Sequence, residues 1–250
     1  VGPKKGVELL LINPGGRQAV YQSLGNQLTA IEPPVWAALM ATFARRKGYS
    51  VAIIDAEADE LTPDEAAARA ADYDPLLTAV VVYGHQPSAS TQNMPASGAI
   101  CEAVKQRDGS ANVILVGGHV AALPERTLRE EAADFVCDGE GPYTLVDLID
   151  ALKGGRREDL AKVRGLRYWD GNEVASGPPA PPGRWWRSIT CNSPCPRGSS
   201  PVSWARRAAA RQPFCTSSLA STKTSKAAFA SRARHRRRDR LLAICSSRPG

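Results

Sequence analysis

Two apolar runs, each ending in a glycine-rich turn, lie in the stretch VILVGGHVAALPERTLREEAADFVCDGEGPYTLVDLIDAL, residues Val113–Leu152. The first turn is Gly117-Gly118-His119 and the second is Gly139-Glu140-Gly141. Glycine lets a backbone approach a ligand closely, and open α/β sheets bind ligands where their strands end. The stretch therefore predicts two strands of an α/β sheet with a ligand site at their carboxyl ends.

The same alternation of apolar runs and helical patterns continues towards the amino terminus. The predicted strands are 7–12, 49–55, 78–83, 112–116 and 134–138, and the predicted helices are 35–47, one opening at Thr62-Pro63, 94–107, 125–132 and 143–152. Continuously apolar strands between amphipathic helices are typical of parallel sheets covered on both faces. We predict a doubly wound α/β fold, Rossmann-like or flavodoxin-like, with a five-stranded parallel sheet and helices on both faces.

The chain after this alternation changes in composition. Residues 165–174 predict a small β-hairpin, and a proline-rich linker follows. Residues 183–250 contain 13 arginines, two lysines and one acidic residue, a net charge of +14; the whole chain carries +7, so residues 1–182 carry −7. We predict a ligand-binding domain (1–154), the hairpin and linker (155–182) and a basic low-complexity tail (183–250).

The basic tail favours two interpretations. It shows neither helical nor strand periodicity, so it cannot bury enough apolar surface to offset a backbone ordering entropy of about 1–2 kcal/mol per residue. We therefore predict disorder. The alternative is a nucleic-acid-binding arm, which the cluster Arg232–Arg240 would suit.

Cysteine spacing and hydropathy indicate in which cellular compartment the protein resides. The six cysteines lack the paired spacing of a zinc site, and no apolar run approaches the roughly 20 residues of a membrane span. Cys101 and Cys137 fall within apolar patterns and are predicted to be buried free thiols. We expect a cytoplasmic protein without a membrane partner.

The loops lack the signatures of the commonest nucleotide ligands. No Gly-x-Gly-x-x-Gly follows the first strand, and no Gly-x-x-x-x-Gly-Lys occurs anywhere, which argues against NAD and ATP. Ser88, Ser90 and Thr91 offer hydroxyl groups after the third strand, while Gly117 and Gly118 would let a flat ring lie against the backbone. The serines could equally cap the next helix, and the glycines could merely turn the chain.

Four phrases in succession resemble the amino-terminal cobalamin-binding domain of cobalamin-dependent radical S-adenosylmethionine (SAM) enzymes. They are Glu32–Ala56 (EPPVWAALMATFARRKGYSVAIIDA), Val80–Gln92 (VVVYGHQPSASTQ), Val113–Glu131 (VILVGGHVAALPERTLREE) and Asp134–Ile149 (DFVCDGEGPYTLVDLI). The resemblance covers residues 7 to about 176. It implies a Rossmann-like sheet that holds cobalamin at the strand ends, with the nucleotide tail of the cofactor inserted beside the sheet.

The resemblance also implies which residues contact cobalamin. The residues under the corrin would be Asn13, Pro14, Gly15 and Tyr21, and the helix below it would begin at Glu32, Pro33 and Pro34. The nucleotide tail would contact Gly84, Ser88, Ser90 and Thr91. The tail and the ring edge would be framed by Gly117, Gly118, His119, Gly139, Glu140 and Gly141. We predict no catalytic residue and no metal ligand among them.

The loop after the first strand bears on the lower ligand of cobalt. Cobalamin domains of the methionine synthase and mutase type carry Asp-x-His-x-x-Gly there, and the imidazole ligates cobalt. Here the sequence is Asn13-Pro-Gly-Gly-Arg-Gln18, without histidine. The resemblance thus implies base-off cobalamin with no histidine lower ligand. His85 and His119 follow later strands, where loop histidines commonly bond to backbone groups.

Two cysteines within the basic tail decide whether the chain could hold an iron-sulfur cluster. A radical SAM enzyme needs Cys-x-x-x-Cys-x-x-Cys for its 4Fe-4S cluster; Cys191 and Cys195 match the first spacing, but Gly198 occupies the third position. We expect a 4Fe-4S cluster and SAM only in full-length relatives. This chain would be a truncated, non-catalytic member of a methyltransferase-type family, with a tail that is an out-of-frame translation or a remnant.

Two other functions remain open from the sequence. One is a flavodoxin-like or receiver-like regulatory module whose basic tail contacts protein or nucleic acid, although the first strand lacks the acidic pair with which a receiver holds magnesium. The other is a nucleotide-sugar-binding domain, for which the chain has no phosphate-cradling motif.

Overall fold

A computed structural model describes residues 6–16, 31, 33–84 and 87–180, except for the side chains of residues 87 and 88. The strands are β1 (Leu9–Asn13), β2 (Val51–Asp55), β3 (Leu77–Val82), β4 (Val113–Gly117), β5 (Phe135–Cys137), β6 (Leu166–Asp170) and β7 (Glu173–Ser176). They form one sheet in the order β2-β1-β3-β4-β5-β6-β7. The first five strands are parallel, which confirms the α/β fold, and of the two strand orders predicted theirs is the flavodoxin-like one.

The hairpin, expected as a separate small element, extends this sheet. The prediction of a five-stranded parallel sheet is therefore wrong in count and orientation, because the sheet has seven strands and is mixed. β6 pairs antiparallel with β5, placing Leu166 opposite Cys137 and Tyr168 opposite Phe135. Leu166 and Tyr168 are buried on one face, and the pairing satisfies backbone groups of β5 that would otherwise form an open edge.

Helices connect the strands, and their starts follow local sequence signals. Among the described residues they are α1 (Val35–Arg46), α2 (Pro63–Tyr73), α3 (Pro87–Gln92), α4 (Met94–Arg107), α5 (Gly118–Ala122), α6 (Pro124–Glu130), α7 (Pro142–Gly154) and a 3-10 helix (Arg157–Lys162). α2 begins with a capping box, in which Glu65 N donates to Thr62 Oγ1 at 3.3 Å and Thr62 N donates to Glu65 Oε2 at 2.9 Å. The short helices α3 and α5 occupy segments expected to be loops.

Two apolar layers cover the sheet. α1 and α7 pack on one face, against side chains such as Leu11 and Val81. α2, α4 and α6 pack on the other face, against side chains such as Ile12 and Val80. Cys101 and Cys137 are buried free thiols, as predicted. Within the described part of the chain, no helix combines the length and apolar character that a membrane span requires.

Candidate functional site

The order of the strands reverses at β1 and β3, which are neighbours in the sheet. α1 follows β1 and packs on one face through Ala37 and Met40. α4 follows β3 and packs on the opposite face through Ile100 and Val104. Because the two connections leave the sheet on opposite sides, a crevice opens at the carboxyl ends of these strands, where doubly wound domains bind ligands.

The loop after β1 is braced from the direction of β2. Asn13 Nδ2 donates to Asp55 Oδ1 at 2.8 Å, and Gly16 N donates to Glu57 Oε2 at 2.6 Å. Pro14, between these two bonds, is buried. The predicted cofactor residues at the start of this loop therefore present an ordered backbone at the crevice, and the Asn13 amide is already bonded within the protein.

A buried hydroxyl joins the segments that follow β3 and β4. Ser90, on α3, is 1% exposed, and its Oγ donates to the Val82 carbonyl and accepts from His119 N at 2.9 Å. Thr91 Oγ1 lies 3.0 Å from His119 Nδ1, and this pair is exposed. The structure thus brings together three residues predicted to lie at the nucleotide tail. Ser90 braces the backbone, while Thr91 and His119 lie at the surface.

Gly117 and Gly118 have different surroundings. A Cβ on Gly117 would lie 2.7 Å from the Val82 carbonyl carbon, so the approach of β3 to β4 requires glycine at this position. A Cβ on Gly118 would have only Ser90 atoms within 4 Å, both at 3.7 Å. Gly118 therefore exposes bare backbone above Ser90. A flat ligand could approach this surface, and a larger side chain would cover it.

The second glycine turn leads from β5 into α7. Gly139 and Gly141 have φ angles of 149° and 68°, a region that favours glycine. A Cβ on Gly141 would also lie 2.7 Å from Val116 Cγ1. Glu140, between them, is exposed, and no side chain caps the first turn of α7. The glycines are required by the turn, and the Glu140 carboxylate is accessible to solvent at the same edge of the sheet.

An aromatic pair at the crevice was not among the predicted site residues. Trp36, in the first turn of α1, stacks on Tyr83, which follows β3; their ring centroids are 4.7 Å apart and their planes differ by 22°. Burial raises the pKa of the Tyr83 phenol well above its usual value, so this group is neutral. Asn93 Nδ2 donates to the Tyr83 carbonyl at 3.2 Å. The sequence signal that could have identified it is a tryptophan two residues after Pro34, in the first turn of a helix on the ligand edge.

Some predicted residues fall outside the described part of the chain. These are Tyr21, Glu32, His85, the Ser88 side chain and residues 183–250. Pro33 and Pro34 lead directly into α1, as expected, and Gly84 follows Tyr83 at the crevice. Among the described residues, no three His, Cys, Asp or Glu side chains gather into a metal-binding group.

Comparison with known proteins assigns this arrangement to a family. The B12 binding domain family matches residues 22–149, just over half of the chain. The uncharacterized methyltransferase PH0819 of Pyrococcus horikoshii is 30% identical over 178 residues, which is 71% of this chain and 36% of that protein. An anaerobic magnesium-protoporphyrin IX monomethyl ester cyclase of Cereibacter sphaeroides is 26% identical over 164 residues, 64% of this chain and 26% of the cyclase.

Solved structures share the fold. The radical SAM methyltransferase TsrM of Kitasatospora setae, solved with tryptophan and a SAM analogue, superposes with a TM-score of 0.55 at 20% identity, over 70% of this chain and 30% of TsrM. OxsB, a cobalamin-dependent SAM radical enzyme solved with aqua-cobalamin and SAM, superposes with a TM-score of 0.51 at 20% identity, over 70% of this chain and 22% of OxsB.

The matches are confined to one part of each relative. The chain spans about a third or less of the length of these proteins. The residues matched by the family, 22–149, contain the parallel strands β2 to β5 and both glycine turns. The chain therefore belongs to the B12 binding domain family and is a cobalamin-binding domain similar to those of cobalamin-dependent radical SAM methyltransferases.

Proposed function

We propose that the chain binds cobalamin base-off, with no histidine lower ligand, at the edge formed by β1, β3, β4 and β5. The observation that carries this proposal is the bare backbone of Gly118 beside the crevice, bordered by polar groups of Thr91 and His119. A cobalamin needs a flat surface for its large ring and hydrogen-bonding groups for its polar tail. Both kinds of surface occur together here.

The residues after β3 and β4 would each have a different part in binding the nucleotide tail of cobalamin. Ser90 keeps its buried bonds to Val82 and His119, and so positions the two segments relative to each other. Thr91 occupies Nδ1 of His119, which leaves Nε2 of the ring for a phosphate or amide of the ligand. Glu140, exposed between Gly139 and Gly141, would accept a hydrogen bond from a ring-edge amide.

The absence of a lower histidine rests on the loop after β1. This loop contains no histidine from Asn13 to Gln18, and it is held by the Asn13 side-chain amide on Asp55 and by the Gly16 backbone N–H on Glu57. His119 is engaged with Thr91 beside β4. The sequence of the loop and the placement of His119 therefore support a cobalt without imidazole below it.

We further propose that the domain derives from a radical SAM enzyme of methyl-transferring or ring-forming type, the kinds of enzyme that its relatives' names give. When bound, cobalamin would supply a cobalt able to carry a methyl group. This chain binds and orients it, while the 4Fe-4S cluster and SAM belong to a region that Cys191, Cys195 and Gly198 do not supply. We also propose that the chain consists of a cobalamin-binding domain (1–154), a hairpin and linker (155–182) and a tail (183–250) that is a remnant or an out-of-frame translation.

Retention of a corrin tests the binding proposal. Purified protein is mixed with hydroxocobalamin, desalted and scanned by visible absorption, with FMN in a parallel sample. We expect a retained corrin spectrum of base-off type and no retained flavin. A colourless protein fraction, or retained flavin alone, would refute cobalamin binding.

A glycine variant with a matched control locates the site. Gly118→Val adds bulk to the bare backbone above Ser90, and it should lower cobalamin retention at least about tenfold while the protein stays folded. Gly109→Val makes the same change in the turn before β4, where a Cβ would have only Lys105 O nearby at 3.9 Å. Equal retention by both variants would place the ligand elsewhere.

A further inference from the structure

A cavity lies at the opposite edge of the sheet from the crevice, where β4 and β5 begin. Its volume is about 350 Å³, which lies within the range of small-molecule sites. The end of α7, the 3-10 helix and the end of β6 border it. Its lining includes Phe135, Leu152, Arg156, Arg157, Leu160 and Trp169.

Apolar side chains form much of the cavity wall. Phe135, the first residue of β5, is 6% exposed, and Leu152 and Leu160 pack against the same apolar layer of the sheet. Trp169, on β6, is half-buried and packs against the other layer. The cavity therefore presents aromatic and aliphatic surface, which suits a flat apolar molecule.

The charged groups beside the cavity are paired, with one exception. Lys105 Nζ donates to both carboxylate oxygens of Asp134, at 2.9 and 3.1 Å. Arg157 Nε lies 3.8 Å from Asp170 Oδ1. Arg156 is exposed, and no hydrogen bond or ion pair joins its guanidinium to a residue that the structure describes. This guanidinium is therefore available to a ligand at the cavity.

The segment around Arg156 is basic. Residues 153–164 contain five basic and two acidic side chains, a net charge of +3, although residues 1–182 together carry −7. Asp159 interacts electrostatically with Arg156, but its carboxylate already accepts a bond from Lys162 Nζ at 2.8 Å. The positive charge of Arg156 is therefore not cancelled by its acidic neighbour, and the cavity favours an anion.

We propose that this cavity binds a small aromatic carboxylate, with the acid group on Arg156 and the ring against Phe135, Leu160 and Trp169. A guanidinium can donate to both oxygens of a carboxylate at once, and the two planar groups match in shape. The aromatic ring would bury apolar area against the wall. Because the crevice lies at the carboxyl ends of the strands and the cavity at their amino ends, the inference does not depend on cobalamin binding.

Titration of 2-naphthoate into the full chain labelled with ¹⁵N, followed by NMR, tests the proposal. The backbone amides of Gly155, Arg156 and Leu160 should shift and saturate, with a dissociation constant of about 1 mM or lower. 2-Naphthamide has the same ring without the charge, and it should bind about tenfold more weakly. Saturation with hydroxocobalamin should leave both constants unchanged.

Two variants and a matched control identify the groups that bind. Arg156→Gln should weaken 2-naphthoate binding about tenfold and leave 2-naphthamide binding unchanged. Leu160→Glu places a second carboxylate at the wall and should abolish binding of 2-naphthoate. Arg126→Gln removes an equal charge from α6, where Arg126 Nε donates to Glu130 at 2.8 Å, and it should bind both probes as the wild type does.

Circular dichroism verifies that each variant is folded. The proposal is overturned if 2-naphthoate causes no saturable shift, or if the shifts occur at Gly118 and His119 of the crevice instead of the cavity. It is equally overturned if 2-naphthamide binds as tightly as 2-naphthoate, or if folded Arg156→Gln binds 2-naphthoate as the wild type does.

Discussion

Replacing Gly117, at the end of β4, by alanine should destabilise the protein, whereas replacing the adjacent Gly118 by alanine should stabilise it. At Gly117 the new Cβ would lie 2.7 and 2.8 Å from the carbonyl carbon and Cβ of Val82, its register partner in β3. These atoms belong to a buried strand and cannot move aside as a flexible side chain can. Overpacking of this kind costs about 1–3 kcal/mol of unfolding free energy. For a domain of this size we expect a loss of roughly 2–4 °C in melting temperature per kcal/mol.

An alanine Cβ at position 118 would lie 3.7 Å from Cβ and Oγ of Ser90, which is an ordinary van der Waals distance. The residue begins α5, so alanine fits the backbone and lowers the entropy of the unfolded chain, which stabilises by about 0.4–1 kcal/mol. Both variants are measured by urea and thermal unfolding followed by circular dichroism. The reasoning is refuted if Gly117→Ala stays within about 0.5 kcal/mol of wild type, or if Gly118→Ala is destabilised as much as Gly117→Ala.

Three further predictions concern stability and titration. Ser90→Ala removes the hydroxyl that bonds the buried Val82 carbonyl and the partly buried His119 N–H, and should cost about 1–3 kcal/mol in urea unfolding; a wild-type midpoint would contradict the bracing role. Thr62→Ala removes the cap of α2 and should cost about 1 kcal/mol, whereas Thr62→Ser, which keeps the hydroxyl, should cost less. Burial and a hydrogen bond to Asp150 raise the pKa of Tyr49 to about 12, so its stabilising contribution is complete below the unfolded pKa of about 10 and is lost as pH rises through 12. Tyrosinate absorbance should show one fewer late-titrating phenol in Tyr49→Phe than in the wild type, because Tyr83 titrates late in both.

The strands and most helices could be predicted because their signals are local. A buried parallel strand is apolar on both faces, and a run such as Leu77–Val82 can therefore be identified as a strand without knowledge of its neighbours in the sheet. The capping box of Thr62 and Glu65 is equally local. The attachment of the hairpin is not local, because the alternation in Leu166–Asp170 specifies a face but not the strand that it pairs with.

The features of the candidate site are likewise of two kinds, those that the sequence predicts and those that depend on tertiary contacts. The sequence by itself determined that glycines at 117, 118, 139 and 141 follow strands and that the first loop has no histidine, since composition and order are enough for both statements. Only the tertiary structure decided that Gly117 is required by packing while Gly118 exposes its backbone, that Ser90 is buried between two segments, and that Trp36 stacks on Tyr83. These facts depend on contacts between residues distant in sequence, which exist only once β1, β3 and β4 lie side by side and their connections leave the sheet on opposite faces.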